Sequence, residues 1–285
     1  MENIKTAVVT GATSGIGFAA ARALSDKGVQ VIGIGRNEER CRTAMASIRE
    51  ANPEAKVEYM LCDLSSQRGI HALCRELLEK HPVNDILVNA AGLVMSHFMT
   101  TEDGLEMQFA VNHLAPFLLA HDLLPALKRS PDARIITVSS YAHRYSRLKF
   151  DNLQMHKGYV SYVQYGRTKL MNALFAAEFN RRFKGSSIRA FAVDPGLVKT
   201  NIAHNGMIGI EKAALSMCIN RGKEPEVSAE SICHVALSPD ALKDGSLYWR
   251  DCHPMKPNRR VYDENAAGKL WEASERFGMT GPWEE

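Results

Sequence analysis

The stretch IKTAVVTGATSGIGFAAARALSDKGVQVIGIGRN, from Ile4 to Asn37, decides the fold. Ile4 to Thr10 is short, apolar and β-branched and ends at a glycine, which marks a buried strand. An alanine-rich run then reads as a helix through Lys27, and Gly28 stops it. Val29 to Gly35 is a second buried strand. Between the first strand and the helix lies Thr10-Gly11-Ala12-Thr13-Ser14-Gly15-Ile16-Gly17. Gly11 permits a tight turn, Gly15 lets backbone approach a pyrophosphate, and Gly17 lets helix and strand pack closely. The helix N-terminus would face that anion. Strand, glycine turn, helix and strand in this order form the setting of a dinucleotide-binding turn, here with Gly-x-x-x-Gly-x-Gly spacing.

The end of the second strand bears on cofactor choice. A carboxylate there would bind ribose hydroxyls, but the residues are Gly35-Arg36-Asn37. Arg36 can meet a 2′-phosphate with its planar fork of donors, or it is a solvated residue ahead of the next helix. Glu38 and Glu39 belong to that helix's first turn.

The alternation continues along the chain. Helices are expected over Asn37 to Ala51 and from a cap at Asp63-Leu64-Ser65 to Lys80. A long helical stretch, Thr101 to Lys128, is kinked or divided by Pro116. Further strands are expected over Val57 to Cys62, Asp85 to Val88, Arg134 to Val138 and Ser187 to Val193. This alternation predicts an α/β fold: one doubly wound parallel sheet of about seven strands, with helices on both faces and residues 1–285 in one domain. Polar or glycine clusters fall at strand carboxyl ends: the glycine turn, Arg36, Asp63, Asn89 to Gly92, Ser139-Ser140 and Pro195-Gly196. That edge is where open α/β sheets bind ligands.

Composition excludes several classes. A chain of 285 residues with 45% hydrophobic residues can bury a core without metal or disulfide help. A net charge of +3 with no basic run gives no reason to expect nucleic acid. Cys41, Cys62, Cys74, Cys218, Cys233 and Cys252 are scattered, which fits a reducing compartment and no metal site. No signal-peptide pattern or long apolar run appears, so no transmembrane segment and a cytoplasmic location are expected.

Tyr165-Gly166-Arg167-Thr168-Lys169 carries the candidate chemistry. Lys169 to Phe183 reads as helix, and residues four apart share one helix face. An ammonium beside a phenol favours phenolate and lowers the tyrosine pKa, which suits proton exchange with an alcohol oxygen.

Taken in order, TGATSGIG (10–17), Asp63-Leu64, NAAG (89–92), Asn112, Ser139-Ser140, YGRTK (165–169) and Pro195-Gly196 resemble the short-chain dehydrogenase/reductase family over nearly the whole chain. QFAVNHLAPFLL (108–119), KLMNALF (169–175) and FDNLQ (150–154) resemble its retinol dehydrogenase-like branch. Ala115-Pro116, Gly166, Thr168 and Asp194 depart from that branch's usual residues, and none of them removes a catalytic group.

The resemblance implies a Rossmann-type fold and a set of roles. Tyr165 is the acid/base, Lys169 lowers its pKa and holds the nicotinamide ribose, and Ser140 bonds the substrate oxygen, with Ser139 as the alternative. Asn112 holds a water that relays protons to Lys169. Gly11, Thr13, Ser14, Gly15, Ile16, Gly17 and Arg36 meet phosphates and ribose, and Asp63 and Leu64 meet the adenine. Asn89, Ala90, Ala91, Gly92 and Val111 complete the cofactor site. Tyr165, Lys169, Pro195, Gly196, Val198 and Thr200 enclose the nicotinamide. The implied reaction is hydride transfer between NADP(H), with NAD(H) as the alternative, and a carbonyl or alcohol. A homodimer or homotetramer paired through the tyrosine helix is also implied.

The substrate reading rests on apolar residues. Residues 200–240 are expected to form a lid carrying Met207, Ile208, Ile210, Leu215, Met217 and Ile219, with Val94, Met95, Phe98 and Met99 across the cleft. They favour a bulky apolar ketone, aldehyde or alcohol of the steroid, retinoid or aromatic class. His143, Arg144, Arg147 and Lys149 read as a solvated loop. The tail, 250–285, is helical from Asn265 to Phe277 and docks through Trp271 and Phe277, or covers the site or a subunit contact. The rival reading is an NADPH-binding regulator or scaffold without turnover, or else an NAD-dependent alcohol dehydrogenase.

Overall fold

The computed structural model describes residues 4–199, 221–281 and 283. The first half runs β1 (Thr6–Thr10), α1 (Gly15–Ser25), β2 (Gln30–Gly35), α2 (Glu38–Ala51), β3 (Val57–Leu61), α3 (Gln67–Lys80) and β4 (Ile86–Asn89). Next come α4 (Met107–Phe109), a π-helical turn (Ala110–Leu114), α5 (Ala115–Asp122), α6 (Leu124–Leu127) and β5 (Ala133–Val138). The remainder is α7 (Ser161–Arg182), β6 (Ile188–Val193), α8 (Pro225–Leu237), α9 (Pro239–Asp244), β7 (Tyr248–Arg250), β8 (His253–Pro254) and α10 (Glu264–Gly278).

The sheet order is β3-β2-β1-β4-β5-β6-β7-β8. Seven strands are parallel, and the two-residue β8 adds an antiparallel eighth beside β7. That strand was not expected, because two residues carry no period-2 pattern. Successive strand residues serve opposite cores. Val8 and Ile135 face α3, α5 and α7, while Val9 and Ile136 face α1 and α8. Both faces are buried, which is why the strands read as continuous apolar runs. Among the described residues no helix is long and apolar enough to cross a membrane.

Two local expectations shift and a third, at Pro116, holds. Ser66, not Asp63, caps α3, by accepting from the Gly69 N–H. Thr101 to Glu106 forms a turn, with Gly104 at φ +73°, and helix begins only at Met107. Pro116 divides the following stretch: the π turn ends just before it. An α-helical Asn112 carbonyl would need the N–H of residue 116, which proline lacks.

Helix α7 starts at Ser161, eight residues before Lys169, so Tyr165 and Lys169 lie on its second and third turns. From Gly166 to Ala176 every residue of it is buried. The chain itself covers this helix, with β6, the turn Tyr141–Tyr145, the turn Arg259–Tyr262 and α10. Trp271 of α10 stacks on Phe175 at 5.8 Å and packs edge-on to Phe117 at 5.2 Å. Of the expected lid, residues 200–220 lie outside the described residues, and α8 in the remainder packs on α1 through Ala229, Ile232 and Val235.

His113 sits fully buried in the π turn, 2.9 Å from the Ser274 hydroxyl of α10. That hydroxyl donates to the Leu270 carbonyl, so His113 Nε2–H is the donor to it. Burial pushes the His113 imidazole down to about 4. Between there and the ordinary value near 6.5 the unfolded chain binds the extra proton. Stability should therefore fall by on the order of 3 kcal/mol as pH drops from 6.5 to 4. Urea titrations across that range should show this limb, and His113→Gln should flatten it.

Candidate active site

A cleft of about 400 Å³ runs along the carboxyl edge of the sheet, from the glycine turn to Tyr165. At one end, Gly11 has φ +66° and lies so close to Ala91 that a Cβ would stand 2.9 Å from its Cα. A Cβ on Gly17 would stand 2.4 Å from the Gly11 carbonyl oxygen. Gly15 opens α1 with φ +54°, and Ser14 occupies the N-cap with its hydroxyl unused by the helix. The first turn carries no acidic residue, so its N–H groups present unopposed positive potential.

Residues with no assigned role in the sequence hold this turn. The Thr10 hydroxyl accepts from the Ala90 and Ala91 N–H groups, both at 3.1 Å, and joins β1 to the loop after β4. Tyr59 donates to the Ala12 carbonyl at 2.8 Å, and its ring fills the space a Gly33 side chain would take. Gly35 lacks the Cβ that would collide with Thr13 and Cys41. The signal for these contacts was the pair of glycines inside β2, where a strand gains nothing from glycine unless something packs against it.

Arg36 lines the cleft, exposed, and makes no ion pair among the described residues. Arg40, one turn into α2, lines it too. The four-residue spacing of the two arginines was legible and went unread. Asn37 caps α2 by accepting from the Arg40 N–H, which steadies this corner. Asp63 accepts from the Ser65 N–H and hydroxyl, and Leu64 is buried beside it. Asn89 is buried with its Oδ1 unpartnered, while Ile16, Gly92, Val111, Pro195 and Val198 line the cleft.

At the other end α7 meets the end of β5. Lys169 Nζ donates to the Val138 carbonyl at 2.9 Å and lies 5.5 Å from the centroid of the Tyr165 ring. The Ser140 hydroxyl lies near enough to the Tyr165 phenol to favour its ionised form. Ser139 points away, its hydroxyl donating to the Lys169 carbonyl at 2.9 Å. Gly166 permits this approach, because a Cβ there would stand 2.4 Å from the Ser146 hydroxyl. Asn112 is clamped: Oδ1 accepts from Leu93 N–H at 2.8 Å, and Nδ2 donates to Leu93 O at 2.9 Å and Thr168 at 3.2 Å. Glu106, fully buried, accepts from the Gln108 and Phe109 N–H groups and from Gln164, tying the start of the π-turn segment to α7.

The electrostatics differ from the expected lowering. Burial pushes Tyr165 well above the ordinary phenol value, and the Ser140 hydrogen bond opposes this only in part. Burial also brings Lys169 down to about 8. Desolvation of both groups outweighs the ammonium's pull on the phenol. Tyr165 is thus a protonated phenol through neutral pH.

The turn after β6 closes this end. Gly196 has φ +73°, its N–H donating to the buried Asp194 carboxylate at 2.9 Å. Pro195 O accepts from Ser228, and Val198 bridges to Lys223. Thr200 and the apolar residues from Met207 to Ile219 lie outside the described residues. Among the described residues no cluster of His, Cys, Asp or Glu could hold a metal ion.

Residues 5–207 match the family model described as short chain dehydrogenase. Retinol dehydrogenase 14 of Homo sapiens is 36% identical over 286 residues, spanning 95% of this chain and 85% of its own. The chain belongs to the short-chain dehydrogenase/reductase family, in its retinol dehydrogenase-like branch. An uncharacterised protein from Mycobacterium paratuberculosis superposes with a TM-score of 0.77 at 28% identity, covering 99% of this chain and 95% of that one. A metagenomic short-chain oxidoreductase solved with NADP superposes with a TM-score of 0.62 at 28% identity, covering 89% and 97%. The chain is thereby an oxidoreductase of a family with solved members that hold a nicotinamide cofactor.

The glycine contacts give a direct test. Gly17→Ala should cost about 1–3 kcal/mol through overpacking and weaken nicotinamide cofactor binding. Gly92→Ala, whose Cβ would meet Asn112 and Lys169 at an ordinary 3.5 Å, should unfold in urea like the wild type.

Proposed function

We propose that this chain is an NADP(H)-dependent oxidoreductase acting on a bulky apolar ketone, aldehyde or alcohol of the steroid, retinoid or aromatic class. The observation that carries the reading is Tyr165 beside Ser140, with Lys169 pinned to Val138, at one end of a cleft whose other end is the glycine turn. The residues fit the cofactor. The acid-free helix N-terminus and Ser14 suit the pyrophosphate. Arg36 and Arg40 suit a 2′-phosphate.

The bound cofactor supplies or accepts hydride at the carbonyl carbon. The chain does the rest. In reduction Tyr165, held protonated by burial, gives its proton to the substrate oxygen as the carbon receives hydride, leaving an alcohol. The Ser140 hydroxyl donates to the same oxygen and stabilises its developing charge. Lys169 fixes the phenol and offers a second ammonium donor for ribose hydroxyls. A proton from solvent, passed on by the Lys169 ammonium, restores the Tyr165 phenol, and Asn112 holds Leu93 and Thr168 beside the pair. Oxidation reverses these transfers. Leu93, Val94, Met107, Val111 and Leu197 give the substrate end an apolar lining, which supports the substrate class. The similarity to retinol dehydrogenases points the same way.

Two measurements test the reading. NADPH oxidation should be seen with members of a panel of apolar ketones and aldehydes. Tyr165→Phe should lower kcat by about 100-fold or more with NADPH binding retained, and unchanged turnover would sink the mechanism. Arg36→Ala should weaken NADPH by about tenfold or more, the value of a charge-assisted hydrogen bond, and NADH far less. An equal loss for both cofactors would make Arg36 a surface residue only.

A further inference from the structure

Ser140 caps a 3-10 turn, Tyr141–Tyr145, that begins where β5 ends. Inside it His143 is fully buried, not part of a solvated loop. Its Nε2 lies 3.0 Å from the backbone N of Asn258, in the tail. A backbone N–H can only donate, so Nε2 holds the lone pair and the neutral ring carries its proton on Nδ1. Nδ1 lies 2.7 Å from the Ser140 carbonyl and 3.1 Å from the Tyr248 hydroxyl. Tyr248 packs on the imidazole with centroids 4.7 Å apart and the planes tilted by 37°, and its hydroxyl neighbours the Asp194 carboxylate that holds the Gly196 N–H. None of His143, Tyr248, Asn258 and Asp194 lines the cleft.

We propose that His143 is a positioning residue for Ser140, the link by which Asn258 of the tail, through the Nδ1–H bond to the Ser140 carbonyl, sets the place of the serine hydroxyl against Tyr165. This rests on the function proposed above. Tyr248 also neighbours Asp194, which holds the Gly196 N–H, so one group of polar side chains borders both turns that wall the substrate end. Burial keeps the ring neutral, as this arrangement requires. A second ring proton would set an N–H against the N–H of Asn258.

Two substitutions separate the arms. His143→Asn keeps an amide donor near the place of Nδ1, and so the bond to Ser140. His143→Gln places its amide near Nε2, keeping the tail contact and losing the serine. In the full chain, Gln should lower kcat about 10- to 100-fold, as misplacement of a reacting group does, with NADPH affinity unchanged, while Asn retains most of kcat. Hydrogen exchange at the amides of Ala142 and residue 143, which close on Ser140, should quicken in Gln and stay slow in Asn. Equal kcat and equal exchange in the two variants would overturn the proposal. Should either variant fail to melt like the wild type, Tyr248→Phe keeps the ring and removes only its hydroxyl. It should lower kcat, and an unchanged kcat would count against the network. A wild type that reduces no carbonyl would defeat the proposed function, and the exchange rates would still decide this proposal.

Discussion

A buried ammonium must be hydrogen-bonded, because an unpaired one costs several kcal/mol. Lys169 is 3% exposed, and its protein partner is the Val138 carbonyl, at the last residue of β5. That bond sets the height of α7 over the strand end. Two further contacts lock the same joint, Ser139 to the Lys169 carbonyl and Asn172 to the Val138 carbonyl. Ser140 follows directly in sequence, and Tyr165 lies one turn before the lysine. The meeting of phenol and serine is thus a consequence of how a lysine is satisfied. Replacing the lysine would remove a charge and one of the three bonds that hold the tyrosine helix to this strand end.

The sheet was legible because its strands are buried on both faces and punctuated by glycine or polar residues at their carboxyl ends. Glycines 11 and 17 were legible for a steric reason that the structure makes explicit: neighbouring backbone leaves no room for a Cβ. What escaped reading depends on contacts across the chain. The start of α7 carries no apolar periodicity, since its residues face several different neighbours. Tyr165 was expected to be acidified by Lys169, because spacing reveals a charge but not the burial that outweighs it. His143 looked like one cation among four, and its partners stand 105 and 115 residues further on.

Pro116 shows how one residue can shape a site without touching it. By withholding an N–H it disfavours the regular α-helix at Asn112, and the chain answers with a π turn. The wider turn aims Asn112 at Leu93, which follows the Asn89–Gly92 loop, and at Thr168 beside Lys169. A π turn is otherwise a rare and costly form. Here three side-chain hydrogen bonds and the buried Glu106 carboxylate compensate for it.

The tail then completes what the sheet began. Trp271 is 2% exposed among Phe117, Phe175 and Phe179, so α10 is part of the core on the α7 side of the sheet. Burying a side chain of that size contributes about 2–3 kcal/mol, which gives the tail an anchor independent of polar contacts. Two buried histidines then join it to the turns flanking the site: His113 bonds Ser274, and His143 accepts from Asn258. Neutral imidazoles can do this, since each offers one donor and one acceptor without bringing charge into the core. Apolar packing holds the tail in place, and His143 converts that placement into the angle at which Ser140 faces Tyr165.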